Sequence, residues 1–381
     1  MTISLKYYNK KYWPDLKDFI REYWASDHPL LNFKLFDWQF KGFGNENGKV
    51  KFPLLFDNST LVGMRGIIPG LYQIPLSNSE MKVVQGGSLS MWMIHPSYRG
   101  QKLGYKLHQD VQKNLPVLTG AGSRPATSVP IYKSNSFDIL DNANRYYLPL
   151  SEKFLKLINN PDSSDSFNGY SSCFSESNNC LEPDSKVDLD YISNIWRNFS
   201  YKDKIFSLHR NTNFWRWRYI ESPFNKYLFW VDPKGSGFVV GRLETLSPNH
   251  YEFLPNMKIL RIIEIVPSES NFLRENPNDD FKHFICNILN WCRENDCIAA
   301  DFYFCNDKFS YFLQSLGFKK QNPNSLKDES SIPVLFNPSK YVSFFNFLYR
   351  IEIERKSLIY PGFENSYFVK SDNDMDRPLK V

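Results

Sequence analysis

The sequence predicts an α/β (α+β) fold of two tandem lobes, each with a mixed, mostly antiparallel sheet flanked by helices. Short apolar runs typical of strands alternate with segments of helical periodicity along the 381 residues. This order begins again after a polar stretch, 159–179, that is rich in Ser, Asn and Asp. We therefore expect a first lobe at 1–158, a linker or exposed excursion at 159–185, a second lobe at 186–340 and a C-terminal extension at 341–381.

The first lobe begins with weak alternation at 3–8, which predicts a strand, and continues with helical spacing at 13–24. A loop that contains Pro29 leads to a short second helix at 35–40. The strands predicted after it are 50–56 and 61–68, paired as a hairpin, and then 116–119 and 146–150. The pattern at 129–144 is ambiguous between helix and strand.

The stretch 88–114 predicts a buried strand, a tight basic turn and an amphipathic helix. It opens with the apolar run SLSMWMI, which suits a strand buried on both faces. Pro96 cannot donate to a ladder, so the strand should end near His95. Beyond Arg99 and Gly100, leucine or valine recurs every four positions up to residue 111. A strand that enters a helix through such a turn directs backbone N–H groups and the positive end of the helix at one spot, which favours a phosphate or pyrophosphate.

The second lobe repeats the first in order and spacing. The aromatic run at 214–219 resembles that at 35–40 and aligns Trp217 with Trp38. Further helices are predicted at 187–198, 281–292 and 309–316, and strands at 239–241, 261–267 and 298–304. After Pro267, however, the chain carries acidic residues and no Arg-Gly turn, and like charge there would repel a pyrophosphate. The sequence therefore predicts one anion site, in the first lobe.

Composition excludes several classes of function. The net charge of +5 suits anionic small molecules, and no block of Lys or Arg indicates binding of nucleic acid. No apolar run approaches the ~18 residues of a membrane-spanning helix, and the first residues lack the apolar core of a signal peptide. The six cysteines show no C-x-x-C pair and no zinc spacing, so we expect reduced thiols, no metal site and a cytoplasmic location.

The run IHPSYRGQKLG, from Ile94 to Gly104, resembles the acyl-CoA pyrophosphate loop of the GNAT superfamily of N-acetyltransferases. Arg99 and Gly104 match the first and last positions of the pattern (Arg/Gln)-x-x-Gly-x-(Gly/Ala), whereas Lys102 stands where the first glycine is expected. Leu-Gly-Phe at 316–318 is also a frequent ending of such domains. The resemblance implies tandem acetyltransferase-like lobes that use acetyl-CoA or another short acyl-CoA as co-substrate.

The resemblance also implies roles for particular residues. The central strand would offer N–H groups to the thioester carbonyl, and the turn would anchor the pyrophosphate. The cofactor-binding residues are then Trp92, Met93, Ile94, Arg99, Gly100, Gln101, Lys102, Leu103 and Gly104.

No Asp or Glu lies on the central strand of the first lobe, where many relatives carry a general base. His28 and His95 are candidates for that role because an imidazole has a suitable pKa, although a purely structural role is open for both. Tyr132 is the candidate acid for the leaving thiolate, with packing in the core as its other reading. Residues expected to help bind the acceptor are Trp38, His209 and Arg210.

The expected reaction is transfer of an acetyl or short acyl group to a primary amine. The paired lobes and their repeated aromatic-x-Trp-x-aromatic pattern resemble transferases of surface-polysaccharide biosynthesis, which implies a nucleotide-linked amino sugar as acceptor. One alternative is an aminoacyl-tRNA-dependent peptidyl transferase of the double-lobed type, against which the turn at 99–104 argues. The other is a non-catalytic CoA-binding module, which the lack of an evident base leaves open. A homodimer is compatible with each of these functions.

Overall fold

The computed structural model describes residues 2–45, 50–77, 80–157, 179–268, 279–321, 333, 335–336, 339–340, 346–353 and 358–376. Its helices are α1 (Trp13–Tyr23), α2 (Phe33–Lys41), α3 (Leu103–Asn114), α4 (Ser128–Ser134), α5 (Leu189–Lys202), α6 (Thr212–Trp215), α7 (Asp279–Glu294) and α8 (Ser310–Ser315). A π-helical turn, Arg216–Ile220, continues α6.

Two large sheets form the centre of the molecule. The strands of the first half are β1 (Ile3–Tyr7), β2 (Pro53–Asp57), β3 (Thr60–Pro75), β4 (Met81–Ile94), β5 (Val117–Ala121), β6 (Asp138–Leu140) and β7 (Asn144–Pro149). Those of the second half are β8 (Phe206–Leu208), β9 (Leu228–Val231), β10 (Gly237–Thr245), β11 (Lys258–Pro267), β12 (Cys297–Phe304), β13 (Lys319–Gln321), β14 (Leu335–Phe336), β15 (Ser339–Lys340), β16 (Phe347–Ile351) and β17 (Ser366–Tyr367).

The first sheet has the order β1-β2-β3-β4-β5-β16-β6, with β8 added to the end of β3 and β17 paired with β8. The second has the order β13-β7-β12-β11-β10-β9, and β14 pairs with β15 apart from both. Most pairs are antiparallel, while β4 with β5, β8 with β17 and β11 with β12 are parallel. The predicted class, two mixed and mostly antiparallel sheets flanked by helices, is confirmed.

The two sheets exchange strands. Strand β7 from the first half lies between β12 and β13 of the second sheet. Strand β16, near the end of the chain, lies between β5 and β6 of the first sheet. Each sheet is therefore completed by the other half of the chain. The lobe boundaries expected at 158 and 341 therefore do not coincide with a separation of the two sheets. The division into lobes at these positions stays a prediction.

The same irregularity occurs in both central strands. In β4, Trp92 pairs with Arg65 and Ser90 with Gly66, so Met91 is bulged out of register. In β11, Glu264 and Ile262 pair with consecutive residues of β10, so Ile263 is bulged in the same way. The repeat inferred from the sequence is thus present in backbone geometry as well as in element order.

Trp38 and Trp217, aligned from the sequence as equivalent residues, face each other between the lobes. The Trp38 Nε1–H donates to the Trp217 carbonyl at 3.0 Å, and the Trp217 Nε1–H donates to the Trp38 carbonyl at 3.2 Å. Their rings stack with centroids 5.2 Å apart. Reciprocal contacts of this kind are those of equivalent positions about an approximate two-fold axis.

Helices cover both faces of the first sheet. Helices α1 and α2 pack their apolar side chains on one face, against residues such as Met64 and Met91. Helix α3 packs on the other face, where Leu103 and Leu107 contact Val62 and its neighbours. Amphipathic periodicity accounts for these positions, since each helix buries the stripe that the sequence predicts.

Several elements differ from expectation. The ambiguous stretch at 129–144 contains α4, β6 and the first residue of β7. Strands β8, β16 and β17 were not predicted, because each is short and its partners are remote in the chain. The acidic turn predicted after Pro267 falls on 269–278, outside the described residues, as does most of the predicted linker at 159–185.

The cysteines depart from expectation at one position. Cys286 is disulfide-bonded, so the expectation of six reduced thiols is wrong for this residue. The free thiols within the described ranges are Cys180, Cys292, Cys297 and Cys305. No helix among the described residues has the length and apolar character needed to cross a membrane.

Candidate active site

An opening between β4 and β5 is the main feature of the first sheet. The two strands pair in parallel from Gly86 with Val117 to Leu89 with Gly120, and pairing stops there. Beyond this point the backbone from Ser90 onward keeps its partners on β3 but has none on β5. A cavity of about 750 Å³ lies at the opening. Backbone groups at such a divergence are available to a ligand, because strand pairing does not satisfy them.

A basic turn follows the open part of β4. The chain passes through a short 3₁₀ turn, Pro96–Tyr98, before α3 begins at Leu103. Arg99 lies at the cavity and donates from Nε to the Ile94 carbonyl at 3.3 Å. Lys102 caps α3 in the left-handed conformation, with φ of 58°, and its side chain makes no capping bond. This left-handed backbone is one that glycine adopts without steric cost, although the residue here is lysine.

The cavity walls come from distant parts of the chain. They comprise β4 itself, Tyr23 and Trp24 at the end of α1, the loop between β5 and α4, and α4. Asp374 and Met375, near the end of the described chain, complete the lining. Trp24 is 38% exposed, so an aromatic face is open to solvent at the rim.

Asp374 brings a carboxylate to the open strand. It accepts a hydrogen bond from the Ser90 hydroxyl at 2.6 Å, and Ser90 is the first residue of β4 beyond its pairing with β5. Sequence analysis missed this residue because it lies in a short charged stretch, KSDNDMD, that reads as a solvated tail. Asp374 and Ser90 are 284 positions apart, so no local pattern could have joined them.

Buried ion pairs fix the segment that carries Asp374. Asp372 accepts two bonds from Arg210 Nη2, at 2.6 and 2.9 Å, and Arg210 also pairs with Glu264 at 3.1 Å. Asp376 pairs with Arg242 at 3.1 Å and accepts from the Tyr227 hydroxyl at 2.7 Å. The second lobe therefore holds the segment by its charges and presents Asp374 to the first lobe. Arg210 is 1% exposed, and its contacts lie within this network rather than at the cavity.

A second polar group lines the cavity on the face of the sheet covered by α3 and α4. Arg65 of β3 donates from Nη2 to the Tyr132 hydroxyl of α4 at 2.6 Å. The same guanidinium lies 4.6 Å from the centroid of the Trp92 ring. His108 packs against the same cluster, with its ring stacked 5.3 Å from that of Trp92. Burial, reinforced by Arg65 and Arg350, lowers the pKa of His108 to about 3, so the imidazole is neutral.

The structure brings together part of the cofactor-binding set. Trp92, Met93, Ile94, Arg99 and Gly104 line the cavity beside Tyr132. Gly100, Gln101 and Lys102 form the turn, whereas Leu103 packs into the core against Val62.

The histidine candidates lie elsewhere. His28 is buried and accepts from the Leu30 N–H at 3.2 Å through Nδ1, capping a 3₁₀ turn, and it does not line the cavity. His95 accepts from the Ser97 N–H in the same way, and its ring packs against Tyr23 at 4.6 Å. His209 contacts Gln73 at 3.4 Å, and burial lowers its pKa. Trp38 lies between the lobes, as described above.

The equivalent opening of the second sheet is filled. Strand β11 leaves its parallel partner after Arg261, at the same place relative to the bulge. There the Tyr367 hydroxyl donates to the Ile265 carbonyl at 3.1 Å and accepts from the Ile265 N–H at 3.2 Å. Tyr367 is 1% exposed. The backbone groups that are open in β4 are thus satisfied by the chain itself in β11.

No group of three or more metal-binding side chains is present in the part of the chain that the structure describes. The chemistry available at the cavity is that of a carboxylate, a phenol, three guanidinium groups and the backbone of β4 beyond its pairing with β5.

No protein-family model and no curated protein sequence matches the chain. Solved structures do. An N-myristoyltransferase of Saccharomyces cerevisiae with bound myristoyl-CoA and inhibitors has a TM-score of 0.53 at 13% identity, over 97% of this chain and 85% of that one. A GCN5-related N-acetyltransferase from Kribbella flavida has a TM-score of 0.52 at 13% identity, over 92% and 72%. This is the GNAT fold.

A third structure is a probable N-acyltransferase from Enterococcus faecalis V583, with a TM-score of 0.51 at 10% identity over 92% and 73% of the two chains. At these identities the likeness concerns the GNAT fold alone. It agrees with the fold that the resemblance implied, and the activity has to be argued from the site.

Proposed function

We propose that the protein is an acyl-CoA-dependent N-acyltransferase that transfers an acetyl or other short acyl group to a primary amine, with one active site in the first lobe. The observation that carries the proposal is the opening of β4 from β5, with a basic turn at one end and the Asp374 carboxylate beside it. The open strand would bind the thioester arm of acyl-CoA, the basic turn its pyrophosphate, and the carboxylate would accept a proton from the attacking amine.

The donor is proposed to lie along the open strand. The pyrophosphate would bind at the turn, where the first N–H groups of α3 point out of the helix and Arg99 adds charge. The pantetheine arm would pair with the backbone of β4 beyond Ser90. A backbone N–H near the bulge at Met91 would then polarise the thioester carbonyl.

Asp374 is the proposed general base. Its carboxylate lies in the cavity and is oriented by the Ser90 hydroxyl, and ion pairs on both sides of it in sequence restrict its position. It would take a proton from the amine nitrogen as this attacks the carbonyl carbon. This role replaces that expected of His28 or His95, whose contacts stabilise turns.

The proposed donor is a short acyl-CoA. The space that continues from Asp374 toward Trp38 and Trp217 is a cavity of only about 10 Å³. Such a volume holds about one water molecule. A long acyl chain has no channel in this direction, whereas an acetyl group needs none.

The proposed acceptor is an amino sugar linked to a nucleotide. The exposed ring of Trp24 at the cavity rim suits stacking against a sugar or base, and Arg124 at the same cavity suits a phosphate. The carboxylate in the cavity favours an enzyme over a CoA-binding module, and no contact described here favours aminoacyl-tRNA. The cytoplasmic location, the pathway and a homodimer stay predictions.

The decisive experiment measures thiol release from acetyl-CoA with a panel of nucleotide-linked amino sugars. The variant Asp374→Asn should lower kcat by about 10²–10⁴, the range typical of a general base, because Asn keeps the shape but accepts no proton. The Kd for acetyl-CoA should be unchanged. Asp374→Glu should recover part of the rate.

His28→Asn is the matched comparison. It should keep the wild-type kcat if the fold is retained, as judged by thermal unfolding. A loss of kcat at His28 together with a normal rate for Asp374→Asn would return the role of base to His28. Acetyl-CoA that fails to bind at all would reject the proposed function.

A further inference from the structure

We infer that Arg65 is a positioning residue for the leaving group, because it holds the Tyr132 hydroxyl with its proton toward the cavity and balances the charge of the CoA thiolate. The inference rests on the proposed function and deepens it. It concerns the face of β4 opposite that of α1 and α2, where Tyr132 is the candidate acid for the departing sulfur and no role has been assigned to Arg65.

The first step is the state of Arg65. The residue is 2% exposed, yet no carboxylate lies within ion-pair distance of its guanidinium among the described residues. Its single hydrogen bond there goes to Tyr132, and its Nε is buried without an acceptor. A buried cation is costly unless it is paired. Every other arginine described here as buried, such as Arg210, has acidic partners.

The second step is the direction of the bond. A phenol carries one proton, and its oxygen can also accept. Since Arg65 has only donors, Tyr132 must accept from it, so the phenolic proton points elsewhere. Tyr132 lines the cavity, and the groups packed beside it, Trp92, His108 and Phe137, present ring faces or edges. The cavity is the direction left for the proton.

The third step concerns competing charges. Among the described residues, the titratable groups that interact with Arg65 are His108 from α3 and Tyr132 from α4, and Arg350 of β16 also lowers the pKa of His108. The imidazole is neutral, so it neither supplies nor removes charge. The positive charge of Arg65 is therefore available to an anion that forms in the cavity.

The reaction then balances as follows. The acceptor ammonium first loses one proton to water by way of Asp374. The neutral nitrogen then bonds to the thioester carbon and gives a second proton to Asp374. The carbon–sulfur bond breaks with its electron pair on sulfur, and the Tyr132 proton passes to the sulfur to form the CoA thiol. The phenolate is held by Arg65 until exchange with water returns a proton to Tyr132 and removes one from Asp374. One proton is released overall, as conversion of an ammonium and a thioester to an amide and a thiol requires.

A binding experiment tests the inference without turnover. The Kd of CoA and of desulfo-CoA, which has no sulfur, is measured by calorimetry between pH 6.5 and 9. Wild-type protein should bind CoA up to about tenfold more tightly at the upper end, because a thiolate near a cation gains affinity as the thiol ionises. Desulfo-CoA should show no such gain and corrects for every other titrating group.

Arg65→Met should abolish the gain, so that CoA and desulfo-CoA follow the same curve. Arg65→Lys keeps the charge and should retain the gain in affinity. This variant tests whether the loss of the gain in Arg65→Met is due to loss of the charge rather than of the fold. A gain that persists in Arg65→Met, or one that is missing in the wild type, would overturn the inference. Because no amine is needed, failure to find an acceptor leaves this result intact.

A kinetic experiment tests the pairing with Tyr132. Arg65→Met and Tyr132→Phe should each lower kcat, and the double variant should be no slower than the slower single one, since both remove the same proton transfer. Losses that multiply in the double variant would mean that the two residues act separately, and the inference would fall.

Discussion

Individual charged side chains, either at the cavity or in the network that holds its C-terminal wall, set the charge distribution of the candidate site. Arg65, Arg210 and Asp374 are all polar, yet each has a distinct arrangement of neighbours that fixes its position. Sequence alone shows that these residues are charged, but not which are buried or paired. Arg210 was expected to bind the acceptor because it precedes an aromatic run, and its ion pairs depend on residues more than fifty positions away.

His108 gives a pH dependence that can be measured. Burial lowers its pKa to about 3 from an ordinary value of 6.5. Above the ordinary value both folded and unfolded states are neutral, and this residue adds no pH dependence. As the pH falls below it, the unfolded chain takes up a proton that the folded protein cannot, so the free energy of unfolding decreases down to about pH 3.

His108→Phe should therefore flatten the decline of unfolding free energy between about pH 6.5 and 4, measured by urea denaturation. The phenyl ring fits among the aromatic neighbours and carries no proton. His283→Gln, at an exposed position on α7, is the control and should leave the decline as it is. The same slope in His108→Phe as in the wild type would show that this imidazole is protonated in the folded protein.

At the level of elements, the turn between β4 and α3 places a lysine in a left-handed backbone conformation. Lys102 has φ of 58°, which costs a residue with a Cβ about 1 kcal/mol relative to glycine. The turn was predictable because a proline, a glycine and a periodic helix follow one another in sequence. The left-handed conformation of Lys102 was not, since lysine carries no signal for it.

Two substitutions at Lys102 separate its backbone from its side chain. Lys102→Gly should unfold with a free energy about 1 kcal/mol greater than Lys102→Ala, because both lose the charge and only glycine relieves the left-handed backbone. Chemical denaturation measures the difference. The Kd for CoA should rise equally in the two variants if the ammonium group of Lys102 contacts phosphate. Equal stability of the pair would contradict the left-handed geometry.

Long helices and the hairpin of β2 and β3 were predictable from the sequence, whereas the short strands were not. The stripes of α1, α3 and α7 repeat for several turns, so their period identifies them. A three-residue strand such as β8 has no period, and its position depends on β3 and β17. The same limit applies to β7, which was predicted as a strand although its sheet could not be named.

At the level of the molecule, the equivalent openings beside β4 and β11 differ in what occupies them. That of β4 faces a cavity, and that of β11 is filled by Tyr367, which comes from the segment that also carries Asp374. The sequence predicted one site from the basic turn of the first lobe. It gave no sign that a tyrosine would occupy the other, because the C-terminal residues have little periodic pattern.

The protein should bind one CoA per chain. Calorimetry should give a stoichiometry of one, and Arg99→Glu should weaken this binding severely, since it replaces an attraction for phosphate with repulsion. Tyr367→Phe serves as the control: it should destabilise the fold by about 1–3 kcal/mol through lost backbone bonds and leave the stoichiometry at one. A second equivalent of CoA that survives Arg99→Glu would place a site in the second lobe.

The exchange of β7 and β16 has a consequence for how the chain is made. The sheet that contains the cavity lacks the strand between β5 and β6 until Phe347–Ile351 has been synthesised, and Asp374, the proposed base, follows still later. Strands β5 and β6 therefore remain unpaired along one edge each while the residues between β6 and β16 are translated. A polypeptide interrupted before this strand lacks the link between β5 and β6, so the sheet that bears the cavity is complete only once residue 351 has been made.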